Sequence, residues 1–290
     1  MNRWLIAALV LGASCFVCSG VALVLGLLSA DGSDGPTGAT SAGCSDTVDG
    51  WHQAIGPRGL VLTRDGVTAE QAWSFEFTDA LRQGDSEMNV WRAVLGDRYE
   101  PGQLVQGQFG ELHLAGPATE RSTGRTVFIA FTSGATGGYA HPVAVIGADA
   151  STLAAYPTSA ALNALTSLNR FSLPCARLEG RWKSGFNTVA ERYAAATGRF
   201  TGIEAVAAWR DLTLERGSFR RESSALLNGV FSRQVDSGAW SHDEWSLVLE
   251  PEGAEAITYD AAFIAVQHGF LLRLVNRKFS SDVEEFQQVE

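Results

Sequence analysis

A short run of possible metal ligands lies at Ser241, His242, Asp243 and Glu244. Side chains alternate between the two faces of a β-strand, so His242 and Glu244 would point away from Ser241 and Asp243. No second His, Asp or Glu pair at ligand spacing and no H-E-x-x-H motif accompanies this run. We therefore expect a solvated loop or strand rim here, and we predict neither a metal nor another cofactor.

Nucleophilic hydrolysis would need a serine with a histidine partner and an acid. The chain has no G-x-S-x-G elbow. Its histidines are scattered along the sequence at His52, His113, His141, His242 and His268. The sequence alone can neither assemble nor exclude a triad from them. A hydrolase with a loop-borne Ser/His site in the first domain stays open as an alternative.

A glycine-rich segment at residues 131–138 reads FTSGATGG. It resembles the phosphate loop of adenylate-forming enzymes, in which backbone N–H groups bind phosphate. The lysine that should follow this loop is absent, because the only lysines are Lys183 and Lys278. Clusters of Ser, Thr and Gly between strands are typical of turns, so we predict a β-hairpin loop.

Arg273 and four tryptophans are the candidate ligand-binding residues. In the run FLLRLV at residues 270–275, Arg273 shares a strand face with Leu271 and Val275. An inward Arg273 could bind a ligand carboxylate, whereas an outward one is a solubilising charge, and the outward position is favoured. The tryptophans that could line an apolar lumen are Trp182, Trp209, Trp240 and Trp245, although aromatic residues at strand spacing are also typical of a core.

The four cysteines divide into two pairs. Cys15 and Cys18 lie in an apolar stretch, where they are expected to be small hydrophobic residues. Cys44 and Cys175 bracket a segment of domain size. In an oxidising compartment these two should form a disulfide, and two free thiols are the alternative.

Residues 4–30 contain no charged side chain. This length favours a membrane-spanning anchor over the shorter apolar region of a cleaved signal peptide, which remains the alternative. Arg3 precedes the stretch and Asp31 follows it, so the positive-inside rule places the N-terminus in the cytoplasm and the remainder outside. Residues 31–50 are rich in Gly and Asp and predict a flexible linker.

The chain is acidic, with 22 basic against 32 acidic residues and a net charge of -10. It has no basic run, so it lacks the electrostatic footprint of a nucleic-acid-binding protein. Its mean hydropathy of +0.02 averages the apolar first segment with a more polar remainder.

Residues 51–174 mix helical and strand periods, which predicts an α+β domain of helices on an antiparallel sheet. The predicted helices are 68–83, with a capping box from Thr68 to Gln71, then 87–95 and 159–169. The predicted strands are 59–64, 103–115, 125–132 and 141–148.

Residues 175–280 show short strands separated by turn residues, which is typical of a small barrel or sandwich of six to eight strands. Two hairpins are predicted, one turning at Arg216 and Gly217 and one at His268 and Gly269. Further strands are predicted at 229–235 and 240–249, and residues 281–290 are expected to be a tail.

The C-terminal half resembles the bacterial lipocalin-like β-barrel domains. The resemblance is carried by LEGRW at 178–182, GSF at 217–219, GAW at 238–240, WSLVLEP at 245–251, GFLLRL at 269–274 and YAAATGRFTG at 193–202. The preceding domain resembles the PsbP-type α/β/α sandwich through Gly50, Trp51 and SLNRF at 167–171. Neither resemblance supplies catalytic residues.

The sequence thus predicts an α+β protein with an N-terminal membrane helix, a sheet-plus-helices domain and an all-β lipocalin-like barrel. We expect a non-enzymatic, membrane-tethered extracytoplasmic protein that binds a small apolar ligand or an envelope partner. Secretion after signal cleavage, a hydrolase and a purely structural interaction protein are the alternatives.

Overall fold

The computed structural model describes residues 45–106, 113–136, 138–193, 200–227 and 230–289. Strands dominate this part of the chain, so the predicted α+β class is wrong. The membrane helix belonged to that prediction, and its residues 4–30 lie outside the described residues. Among the described residues, none forms a helix long and apolar enough to cross a bilayer.

Ten strands form the first sheet, in the order β1-β2-β3-β4-β10-β9-β8-β6, with β5 on β10 and β7 on β8. Their bounds are β1 (Ser45–Val48), β2 (Trp51–Gly56), β3 (Gly59–Arg64), β4 (Val67–Ala72), β5 (Phe75–Glu76), β6 (Tyr99–Pro101), β7 (Val105–Gln106), β8 (His113–Glu120), β9 (Thr126–Thr136) and β10 (Tyr139–Gly147). The described helices are short: α1 (Asp79–Arg82), α2 (Ser86–Leu95), α3 (Ser151–Ala155) and α4 (Ser159–Asn163), with 3-10 turns at Ala164–Leu168 and Leu173–Cys175.

Several predicted elements of this domain are confirmed and others are wrong. The strand at 59–64 and the helix at 87–95 are present as β3 and α2. The predicted helix 68–83 is instead β4, β5 and α1, and the predicted helix 159–169 is α4 followed by a 3-10 turn. The predicted linker 31–50 contains β1, and the predicted strand 103–115 includes residues 107–112, which lie outside the described residues.

Helices pack on both faces of the first sheet. On one face, Trp91 and Leu95 of α2 pack against Ile129 and Phe131 of β9. On the other face, Leu162, Leu165 and Leu168 belong to the core that covers Leu60, Leu62, Ala69, Val143 and Val145. This second core continues through Phe171 into the barrel. The two halves of the protein therefore share one continuous hydrophobic core.

Eight strands form a closed antiparallel barrel in which chain neighbours are also spatial neighbours. Their bounds are β11 (Gly180–Tyr193), β12 (Phe200–Glu215), β13 (Ser218–Leu227), β14 (Val230–His242), β15 (Ser246–Pro251), β16 (Ile257–Val266), β17 (Gly269–Asn276) and β18 (Val283–Val289). The predicted tail 281–290 thus contributes the strand that closes the barrel, through the pairs Arg181↔Val289, Trp182↔Gln288 and Lys183↔Gln287.

Both predicted hairpin turns of the barrel are present, and one of them lies one residue earlier than predicted. The turn at Arg216 and Gly217 is confirmed, since Glu215 pairs with Ser218. In the second hairpin Val266 pairs with Gly269, so the turn residues are Gln267 and His268 rather than His268 and Gly269. The predicted separate strands 229–235 and 240–249 are one long strand, β14, followed by β15.

The segment between the domains is bonded to the barrel edge. Phe171 and Phe263 of β16 exchange two backbone hydrogen bonds, with N···O distances of 2.7 and 2.8 Å. The Asn169 side-chain amide donates to the carbonyl of Ala265 and its oxygen accepts from the Ala265 N–H. These contacts bind backbone groups of β16 that β15 does not reach, so they hold the first domain in one position on the barrel.

Candidate functional site

The lower end of the barrel is filled by apolar side chains. Trp182 is 1% exposed, stacks on Phe263 with a ring-centroid distance of 5.8 Å, and donates its indole N–H to the Leu178 carbonyl at 2.8 Å. Other buried members of this floor are Leu212, Leu214, Phe219, Leu247, Leu249, Leu272, Leu274 and Phe286. Close-packed side chains of this kind leave no room for a ligand at this level.

A polar belt lies above the floor on the same inward-facing positions. It consists of Arg210, Arg221, Asp236, Tyr259, Asp282 and Glu284, and sequence analysis did not identify it. Arg210 follows the alternation of Leu212 and Leu214, and Arg221 follows that of Phe219. This alternation with buried leucine and phenylalanine was the one sequence signal that could have shown two inward arginines.

Arg221 connects opposite parts of the barrel wall. Its Nη1 donates to the Tyr259 hydroxyl at 2.7 Å, and its Nη2 donates to Asp236 Oδ2 at 2.9 Å. Its Nε is buried and meets no hydrogen-bond partner among the described residues. A buried N–H without an acceptor is costly, so a polar group of a bound molecule would be stabilised there.

Arg210 makes the second pair of the belt. Its Nη1 lies 2.7 Å from Glu284 Oε1 and 3.7 Å from Asp282 Oδ1. Glu284 is only 5% exposed, whereas Arg210 is 39% exposed. The pair therefore reaches from the interior of the barrel to the water at its mouth.

Burial shifts the ionisation of the belt. It raises the pKa of Glu284 above its usual value, an effect that Asp282 reinforces and that Arg210 and Arg221 oppose. It also raises the pKa of Tyr259, so this side chain is a neutral hydroxyl at physiological pH. For Asp236, burial acts to raise the pKa, but hydrogen bonds from Gln234 and Arg221 hold it below the usual value.

Most of the inward positions of the wall above the belt carry small side chains. By register these are Ser184, Ala208, Ser223, Ala225 and Ser232 on β11 to β14, and the larger Val230 and Gln234 lie on the same inward face of β14. These strands extend past β15 and β18, so the wall projects beyond the closed part of the barrel. These small side chains take up less volume than the leucine and phenylalanine side chains of the floor.

The predicted ligand-binding residues do not come together. Trp182 is in the floor, Trp209 is 48% exposed on the outer face, and Trp240 and Trp245 are partly buried against the core. Arg273 lies on the outward face, the position that was favoured because arginine is rarely buried, and its Nε is 3.8 Å from Glu285 Oε1. None of these five residues lies on the inner face of the wall above the belt.

A serine–histidine pair is present in the first domain. Ser74 Oγ, just before β5, lies 2.7 Å from His141 Nδ1 on β10. Burial lowers the pKa of His141, opposed by its contact with the Thr136 backbone, so the imidazole is neutral at pH 7. Of the other histidines, His113 contacts the Tyr156 carbonyl, and His242 stacks on Trp240.

The remaining sequence candidates have structural roles. Asp243 accepts hydrogen bonds from the N–H groups of Trp245 and Ser246, which forms the β14–β15 turn. No cluster of three His, Cys, Asp or Glu suited to a metal occurs among the described residues. A β-hairpin joins β9 and β10 as predicted, since Thr136 pairs with Tyr139, but residues 131–136 of the predicted loop belong to strand β9.

Comparison with known proteins finds no match to any family model, curated protein or solved structure. The geometry of the chain itself therefore has to support any assignment of function.

Proposed function

We propose that the protein is a non-enzymatic binding protein whose barrel takes a small amphipathic ligand at its open end. The observation that carries this proposal is the polar belt inside the barrel, between an apolar floor and an inner wall of mostly small residues. Ligand sites combine apolar walls with a few fixed polar groups in this way. The closed barrel and the Trp182 at its base also support kinship with lipocalin-like barrels.

The charges of the belt favour a neutral polar group on the ligand. Two guanidinium groups, Arg210 and Arg221, stand against three carboxyl groups, Asp236, Asp282 and Glu284. An anion would meet net repulsion here, whereas a hydroxyl or amide can both donate to the carboxylates and accept from Arg221. This refines the expected apolar ligand to an amphipathic one.

Paired bulky substitutions test this proposal. Ser223 faces inward on β13 and Ser224 faces outward, so Ser223→Phe should fill the space over the belt while Ser224→Phe should not. The readouts are native mass spectrometry of protein purified from its own host and the fluorescence of the neutral probe N-phenyl-1-naphthylamine. We expect binding in the wild type and in Ser224→Phe, and loss in Ser223→Phe. Equal binding by both variants, or none by the wild type, would overturn the proposal.

The Ser74–His141 pair supports a second candidate, a serine hydrolase that acts on esters. Ser74 would attack the ester carbonyl while His141 takes the hydroxyl proton and returns it to the departing alcohol, and water would then release the acid. Turnover of p-nitrophenyl butyrate that is lost in Ser74→Ala but kept in the nearby Ser133→Ala would support it. Absence of turnover in the wild type would exclude this activity on short esters.

We also propose that the folded part lies outside the cytoplasm and carries a Cys44–Cys175 disulfide. Cys44 lies outside the described residues. Asp46, two residues later, accepts a hydrogen bond from the N–H of Ser172, three residues before Cys175, at 3.0 Å. This contact brings the two cysteine-bearing segments together, as a disulfide between them requires.

A further inference from the structure

Both edges of the projecting wall, β11 beyond Lys183 and β14 before Gly238, lack a neighbouring strand among the described residues, and the edge considered below is that of β14. β14 pairs with β13 at residues 230–239, but with β15 only at 238–242. Residues 230–236, here called the free edge, therefore have no strand partner on that side among the described residues. Unpaired strand edges are templates for pairing with another chain.

The free edge is exposed on both of its faces. Six consecutive residues from Val230 to Val235 are exposed, including Val230 at 71%, Phe231 at 61% and Val235 at 47%. Native edges are usually protected by charged side chains, by proline or by a bulge. Residues 230–236 contain no proline, and their charged side chains are Arg233 and Asp236. Three exposed apolar side chains on this edge favour a strand partner over solvent.

The charges on the free edge are compensated inside the same molecule. Arg233 pairs with Glu222 at 2.7 Å, and Asp236 pairs with Arg221 at 2.9 Å. The edge is thus electrically neutral in a chain whose net charge is -10. Two acidic copies of the chain repel each other less when they meet at this neutral edge than when they meet at an acidic face.

The direction of the backbone groups can be assigned. The carbonyl of Ser237 accepts from Glu252 N at 2.9 Å, so it points to the side of β15. Because these directions alternate along a strand, the N–H and C=O groups of residues 231, 233 and 235 point to the same side, which is the free edge. Gln234 then directs its backbone groups to β13.

We propose that the protein forms a two-fold symmetric dimer in which the free edges of two copies pair antiparallel, with Gln234 opposite Gln234 of the second copy. A two-fold axis perpendicular to the paired sheet keeps each side chain on its own face. Residues directly opposite each other share a face, so the axis must lie midway between the two copies of one residue. Centred on Arg233, the pairing would oppose two arginines. Centred on Gln234, it spans residues 232–236, sets Arg233 against Val235 and Ser232 against Asp236, and stops before Ser237, whose carbonyl already accepts from Glu252.

A single-cysteine cross-link tests the register in the full chain. Gln234 would be a non-hydrogen-bonded pair at the axis, with Cα atoms about 4.5 Å apart, a distance that a disulfide can span. We expect Gln234→Cys to give a disulfide-linked dimer on oxidation. Ser232→Cys, on the same face, should not, because its copies lie four residues apart along the strands. The wild-type chain reports any linkage through native cysteines, and equal cross-linking of both variants would overturn this register.

A second variant pair tests the dimer without a cross-link. Proline is tolerated on an edge strand where the N–H that it removes faces solvent in the monomer. Val235→Pro should therefore keep the fold and lose the pairing, whereas Val235→Thr should keep both. Loss of two backbone hydrogen bonds predicts an about 30-fold weaker dimer in sedimentation equilibrium. A wild-type monomer at every concentration, or equal dimerisation of both variants, would overturn the proposal and leave the edge to a different partner.

Discussion

The guanidinium of Arg221 donates a hydrogen bond to the Tyr259 hydroxyl, although β14 and β15 lie between their strands in the barrel wall. The contact therefore crosses the interior rather than following the sheet. Together with the Arg210–Glu284 pair, which spans β11, it separates the packed floor from the open mouth. The belt is thus both a structural layer and the base of the proposed ligand site.

Removing Arg221 should be more costly than removing the Tyr259 hydroxyl. Arg221→Met leaves Asp236 without its guanidinium in a mostly buried place, so we expect a loss of about 3 kcal/mol in the free energy of unfolding. Tyr259→Phe leaves one buried Arg221 donor unpaired and should cost about 1–2 kcal/mol. Urea unfolding measures both. The neighbouring Arg220, half-exposed and paired with Glu222, is the control, and Arg220→Met should change stability by under about 0.5 kcal/mol.

Glu284 should make the fold less stable as pH rises. Its pKa is raised in the folded state, so the native protein binds more protons than the unfolded chain between the unfolded pKa, about 4.3, and the folded pKa. Stability from this group is full below that window and is lost through it with increasing pH.

The variant Glu284→Gln isolates this contribution. The amide cannot ionise but can still accept a hydrogen bond from Arg210. Relative to the variant, the wild type should lose unfolding free energy as the pH increases from about 4 through the folded pKa. Urea unfolding of both proteins across this range measures the difference. A difference that does not change with pH would contradict the raised pKa.

Local sequence patterns correctly predicted the elements whose structure depends on residues nearby in the chain. The strand at 59–64 is bounded by glycine and charge, and the turn at Arg216 and Gly217 needs positive φ at both positions, which are 39° and 79°. The helix at 87–95 has its own cap, since the Asp85 carboxylate accepts from Met88 N–H. Each of these signals acts within a few residues.

Long-range pairing decided the elements that were predicted incorrectly. Thr68 and Gln71 have the spacing of a capping box, yet β4 pairs with β3 and β10, and the Gln71 side chain donates to the Leu165 carbonyl. Likewise, Glu284, the partner of Arg210, and Tyr259, one of the two partners of Arg221, come from strands far along the chain. The general expectation that arginine faces water therefore could not reveal the belt.

The Arg216–Gly217 turn should be sensitive to substitution in opposite directions. Gly217 has φ of +79°, so Gly217→Ala should lower the free energy of unfolding by about 1 kcal/mol. Arg216 has φ of +39°, and asparagine adopts this region more readily, so Arg216→Asn should be neutral or stabilising. Thermal unfolding of both variants checks this. A stabilising Gly217→Ala would contradict the left-handed backbone at this position.

The Cys44–Cys175 disulfide is expected to stabilise the junction between the two domains. The Asp46–Ser172 contact already holds the two segments together, so the bond would close a loop of more than a hundred residues with little rearrangement. Loop-closure entropy predicts a contribution of about 4–5 kcal/mol before any native strain is subtracted. Peptide mapping without reduction should show one cross-linked peptide, and Cys175→Ser should unfold at lower urea concentration. Alkylation of both thiols in the untreated protein would contradict the pairing, because cysteines that form a disulfide do not react with alkylating reagents.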